Sequence, residues 1–159
     1  MGIREKNTPR TIVLAAPEQI MDHCKALLET EPSFWVITET QDKEATIEAV
    51  KRSQANILLL DVGMAQQTQF DLVSHALKVS PATRILLLGA DDTSAEILDA
   101  LASGARGVVQ YADLERWLVK ALLKVDIGEA WVSRKMAFQI VNRIRHLSIC
   151  DHFLQRAGS

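Results

Sequence analysis

The chain is 159 residues long, 48% hydrophobic and 24% charged, with a formal net charge of -2 at pH 7. It carries enough apolar material for one buried core, which excludes intrinsic disorder, collagen-like repeats and low-complexity polymers. Lys and Arg are scattered rather than clustered, so the electrostatic footprint of a dedicated nucleic-acid binder is missing.

Cys24 and Cys150 lack CxxC or Cys/His spacing, which argues against a disulfide framework or a zinc site. His23, His75, His146 and His152 share no ligand spacing with a carboxylate or thiol and read as solvent-facing helix positions. The N-terminal MGIREKNTPR is polar and no apolar run exceeds strand length, so a soluble protein of the reducing cytosol is expected, without a membrane target.

In chain order, Thr11 to Ala16 is a short apolar run stopped by Pro17, as in a strand buried on both faces. Glu18 to Thr30 repeats apolar residues every three or four positions, at Met21, Cys24, Leu27 and Leu28, and predicts a helix ended by Pro32. The pair then recurs. Trp35 to Thr38 predicts a strand, and Asp42 to Arg52 a helix with Ile47 and Val50 turned inward. Asn56 to Leu60 predicts a third strand ending at Asp61, followed by a helix from Phe70 to Val79. Arg84 to Leu88 is a fourth strand, and Ser94 to Ser103 a helix closed by Gly104. Gly107 to Gln110 is a fifth, with a helix from Asp113 to Val125 whose apolar stripe includes Trp117.

Strands alternating with helices of this length require right-handed crossovers over a parallel sheet. The expected fold class is α/β: a three-layer sandwich around a five-stranded parallel sheet of order 2-1-3-4-5. An extra C-terminal helix starts at the N-cap Ser133 and carries Met136, Ile140, Ile144 and Leu147 on one face. The expected organisation is an N-terminal extension over 1–10, one domain over 11–127 and a linker with helix over 128–159.

In such a sheet, reactive groups collect at the carboxyl ends of the strands, and Asp61 is the one ionisable residue there. Around these ends the chain resembles the response-regulator receiver family. ANILLLDVGM resembles the phosphoacceptor strand, GARGVVQYAD the fifth-strand turn and GEAWVS the exit towards a linker helix. The combination of GARG with GEAWVS is most similar to the subfamily whose members carry a LuxR-type helix-turn-helix after the receiver. The resemblance implies the CheY-like fold and bacterial two-component signalling.

Receiver chemistry uses an aspartate nucleophile, an acidic pair on Mg²⁺, a hydroxyl that reads the acyl phosphate and a lysine that pairs with it. Metal and ammonium offset the charge of the transferring phosphoryl group, and the hydroxyl reports its presence. Asp61 matches the nucleophile, but the acidic pair falls on Ala15 and Ala16 and the hydroxyl position on Gly89. The lysine position falls on Tyr111, or on Gln110 if one residue is skipped, and no lysine lies between Pro81 and Val119. Loss of even one such charge-stabilising group costs about 10²- to 10³-fold in rate. The expected function is therefore that of an atypical receiver, a pseudo-receiver with no enzymatic reaction and no cofactor, Mg²⁺ included. Asp61 is read as a family remnant at a strand end.

Two alternatives stand beside this one. Asp61 is phosphorylated with unusual metal ligands, for which Asp91 and Asp92 are candidates besides their ordinary reading as helix N-terminal charges; or the vacated pocket of Ala15, Ala16, Asp61 and Gly89 admits a small molecule. Expected partners are proteins, a second copy included. The expected docking face of Glu96, Asp99, Tyr111, Arg116 and Lys120 is the one through which receivers generally signal. The chain is expected to be either a stand-alone protein or a receiver with its linker helix.

Overall fold

The computed structural model describes residues 8–67, 71–90 and 94–157, with residues 65–67, 71 and 146–157 described by their backbone. Five strands form one parallel sheet: β1 (Arg10–Ala15), β2 (Phe34–Thr40), β3 (Ile57–Asp61), β4 (Arg84–Gly89) and β5 (Gly107–Gln110), in the spatial order β2-β1-β3-β4-β5. The helices are α1 (Glu18–Glu29), α2 (Lys43–Ser53), α3 (Val62–Gln67), α4 (Asp71–Val79), α5 (Ala95–Ala102), α6 (Leu114–Asp126) and α7 (Arg134–Ala157).

Alternation along the strands divides the core in two. Ile12, Leu14, Ile57, Leu59, Leu86, Leu88 and Val109 point to one face, where α1 and α6 supply Cys24, Leu28, Leu118 and Leu122. Val13, Leu58, Leu60, Ile85, Leu87 and Val108 point to the other, against Val50 of α2, Val73 and Ala76 of α4 and Ile97 and Leu101 of α5. With both faces covered, β3 and the inner part of β4 are apolar at every position up to the strand end.

Most expected helix ends are present. Asp42 caps α2 by accepting from Ala45 N at 2.8 Å, Ser94 caps α5 through Ile97 N at 3.2 Å, and Ser133 caps α7 through Met136 N at 3.1 Å. At the end of α5, Gly104 N–H donates to Leu101 O and Ala105 N–H to Ala100 O, the paired bonds of a Schellman closure.

Some elements differ from expectation. β2 is longer at both ends, a 3₁₀ turn spans Tyr111–Asp113, and the extra helix α3 follows directly on β3. α3 is six residues long and contains Gly63, too short to carry a helical period.

The segment before α7 is not a free linker. Trp131 bridges Gly107 in parallel fashion: Val108 N–H donates to Trp131 O at 3.1 Å, and Trp131 N–H donates to Arg106 O at 2.9 Å. One residue thus covers part of the β5 edge. The backbones approach so closely that a Cβ on Gly107 would lie 2.4 Å from Trp131 O. From there α7 turns back onto α5, with Met136 buried and Ile140 half-buried against the core. Arg143 Nε pairs with Asp99 of α5. Ile144, expected on the same face as Met136 and Ile140, is instead 46% exposed, and the side chain of Leu147 lies outside the described residues. Successive i+4 steps drift by about 40° each, so Ile144 lies about 80° round the helix from Met136 and leaves the strip that α5 covers.

Candidate functional site: the carboxyl end of the third strand

Asp61 closes β3 in the same alternation as Ile57 and Leu59, so its carboxylate faces the layer of α1 and α6. Ala15 pairs with Leu60, which brings Ala16 level with Asp61 on the neighbouring strand, and both alanines are fully buried. On the other side Asp61 pairs with Leu88, while Gly89 pairs with Gln110 one step further on. Tyr111 follows Gln110 in the 3₁₀ turn. The fold therefore gathers Asp61, Ala15, Ala16, Gly89, Gln110 and Tyr111 at one edge of the sheet.

Asp61 is only 2% exposed, and both carboxylate oxygens are engaged. Tyr111 donates its phenolic O–H to Oδ1, reaching across the end of β4, where Gly89 carries no side chain. Gly63 N–H donates to Oδ2 at 2.9 Å. The turn after β3 is tight: a Cβ at Gly63 would meet that same Oδ2 at 2.8 Å, so a side chain there would displace the carboxylate.

Burial raises the Asp61 pKa above the ordinary carboxylate value, and the bonds from Tyr111 and Gly63 pull the other way. Tyr111 is itself pushed up, by burial first and then by its bond to Asp61, so it stays a neutral phenol at physiological pH. It supplies a hydrogen bond where a lysine would supply a charge. Cys24, on the inner face of α1, is pushed up to about 12, by burial and then by the Asp61 charge, and is held as an unreactive thiol.

The residues expected on a docking face are not a continuous free surface. Glu96 is exposed, Asp99 is engaged by Arg143 of α7, and the Tyr111 hydroxyl turns inward to Asp61. Arg116 and Lys120 lie over the Trp117 ring, at 4.9 and 5.3 Å from its centroid. Trp117 is half-buried and packs against Trp131 with the rings tilted by 48° and their centroids 5.8 Å apart, joining α6 to the strap over β5. The inward hydroxyl of Tyr111 and the turn at Gly63 were not anticipated from sequence. The only signal for the first was a tyrosine at the position where a lysine belongs.

A doubly wound sheet with one aspartate at the switch in strand order defines the class, and comparison with known proteins gives the family. Residues 16–121 match the response regulator receiver domain, and the chain belongs to that family. The transcriptional regulatory protein DegU of Brevibacillus brevis is 22% identical over 89% of this chain and 60% of its own length. The probable transcriptional regulatory protein NarL of Mycobacterium tuberculosis is 27% identical over 74% of this chain and 55% of its own. A LuxR-family two-component response regulator from Aurantimonas sp. SI85-9A1 shares the fold with a TM-score of 0.73, at 22% identity, over 86% of this chain and 98% of that one. This chain spans little more than half the length of these two curated relatives.

The family's Mg²⁺ requires oxygen donors beside the phosphoacceptor. Ala15 and Ala16 provide none, and among the described residues no group of three or more His, Cys, Asp or Glu side chains is placed to hold a metal ion. The donor set described does not fit the ion. Asp91 and Asp92, the candidate substitute pair, lie outside the described residues. No described helix is long and apolar enough to cross a membrane.

Proposed function

We propose that this chain is a pseudo-receiver that signals by docking to protein partners, with no phosphorylation cycle and no bound Mg²⁺, within a system that regulates transcription. The observation that carries the reading is the closed state of Asp61: Tyr111 O–H and Gly63 N–H occupy its two oxygens beneath two buried alanines. An incoming phosphoryl group would have to displace the phenol and would find neither a lysine nor a described acidic pair to offset its charge. Losses of coupled groups need not add, but none of these roles is replaced by a described neighbour. The Tyr111 phenol on Asp61 favours this reading over the small-molecule alternative, because a ligand there would have to displace it. The regulatory setting rests on relatives named as transcriptional regulators.

Incubation with acetyl phosphate and Mg²⁺ followed by intact mass spectrometry tests the reading. The expected result is an unchanged mass. A gain of one phosphoryl group that disappears in Asp61→Asn would establish the phosphorylatable alternative instead.

A further inference from the structure

The C-terminal helix has two apolar faces, and the domain covers one of them. Met136 and Ile140 pack inward, whereas Phe138, Val141 and Ile144 are 68%, 47% and 46% exposed. Their spacing of three residues places them with Ala137 along one side of α7. Ala137 and Val141 of that side, together with Ile140, form one wall of a cavity of about 930 Å³, whose opposite wall is built by Leu77 of α4 and Leu101 of α5. Among the described residues, the charged ones lining it are Arg84 and Arg106, and no carboxylate lines it. α7 adds Arg134, Lys135, Arg143 and Arg145, with no acidic residue before Asp151.

We infer that this groove receives an amphipathic helix of a partner protein whose apolar stripe lies on Val141 and Leu101 and whose flanking carboxylates face Arg84 and Arg106. Charge selects this occupant. A second copy of α7, with Arg134, Lys135 and Arg145 and no acidic residue before Asp151, would bring further positive charge towards Arg84 and Arg106, where like charges repel. An acidic helix satisfies the stripe and the rim together, in the helix-in-groove mode of recognition. The inference goes beyond the pseudo-receiver reading, because the groove lies at the opposite end of the strands from Asp61 and is present whether or not that residue is modified.

The probe is a fluorescein-labelled synthetic helix of about five turns, with Leu at i, i+3, i+4 and i+7 and Glu elsewhere, compared by anisotropy with versions carrying Gln or Lys in place of Glu. The Glu peptide is expected to bind best, to weaken as salt rises, and to lose at least about tenfold in affinity to Val141→Glu and to Arg106→Glu. Trp35→Glu, at the opposite edge of the sheet, is expected to leave it unchanged. Thermal melts establish that each variant folds. Equal binding of the Glu and Lys peptides, or indifference to Val141→Glu, would overturn the inference. So would sedimentation showing a dimer that Val141→Glu dissolves, since a second copy would then hold the groove.

Discussion

A carboxylate that keeps two donors while burial works against its charge makes the stability of the domain depend on pH in a stated direction. Because the folded-state pKa of Asp61 is raised, the native chain holds the proton at pH values where the unfolded chain has released it. Wild-type stability therefore falls as pH rises through the carboxyl range, and the deficit is complete above the folded pKa. Urea titrations of wild type and Asp61→Asn from about pH 4 to pH 7 should show the variant gaining on the wild type with rising pH. A gap independent of pH would contradict that. Tyr111→Phe removes a donor from a buried anion and should cost about 1–3 kcal/mol at neutral pH, read from the same titrations. That Asp61 stands alone at a strand end was legible in the sequence, because strand periodicity and the absence of lysine between Pro81 and Val119 are local facts. The bond from Tyr111 was not: it joins residues fifty positions apart and depends on β5 ending level with β3 across β4.

Among the elements, the strap at Trp131 and the helix α7 are where tertiary contacts override sequence pattern. The parallel sheet followed from alternating apolar runs and helical spacings, since such a sheet needs its crossovers, and its strand order from the doubly wound fold class. The strap had no such signature: a one-residue bridge has no period, and its cue is a glycine at 107 that leaves room for Trp131. Gly107→Val should force Trp131 off the β5 edge, costing about 1–3 kcal/mol and exposing Trp117, seen as a red shift in tryptophan emission. Met136 anchors α7, and Met136→Ala should cost about 2–5 kcal/mol if helix and domain unfold together. If α7 undocks first, hydrogen exchange along Arg134–Arg145 rises while the sheet stays protected. The ion pair between Arg143 and Asp99 is over a third exposed on both sides, so Asp99→Ala should change stability by less than about 1 kcal/mol.

For the whole molecule, the receiver fold here holds its strand-end aspartate by bonds from Tyr111 and Gly63. A two-state switch needs a ligand that interacts differently with its two states. On the proposed reading, Ala15 and Ala16 in place of acidic ligands and a neutral phenol on Asp61 give a phosphoryl group no such advantage. In the pseudo-receiver proposed above it is the surface that carries information, and α7 covers part of α5 there, beside an apolar groove lined by Arg84 and Arg106. Titration of the ¹⁵N-labelled protein with beryllofluoride and Mg²⁺, followed by amide spectra, tests the closed site most directly. The account predicts no saturable shift at Asp61, Gly63 or Tyr111, and saturable shifts at those amides that vanish in Asp61→Asn would contradict it.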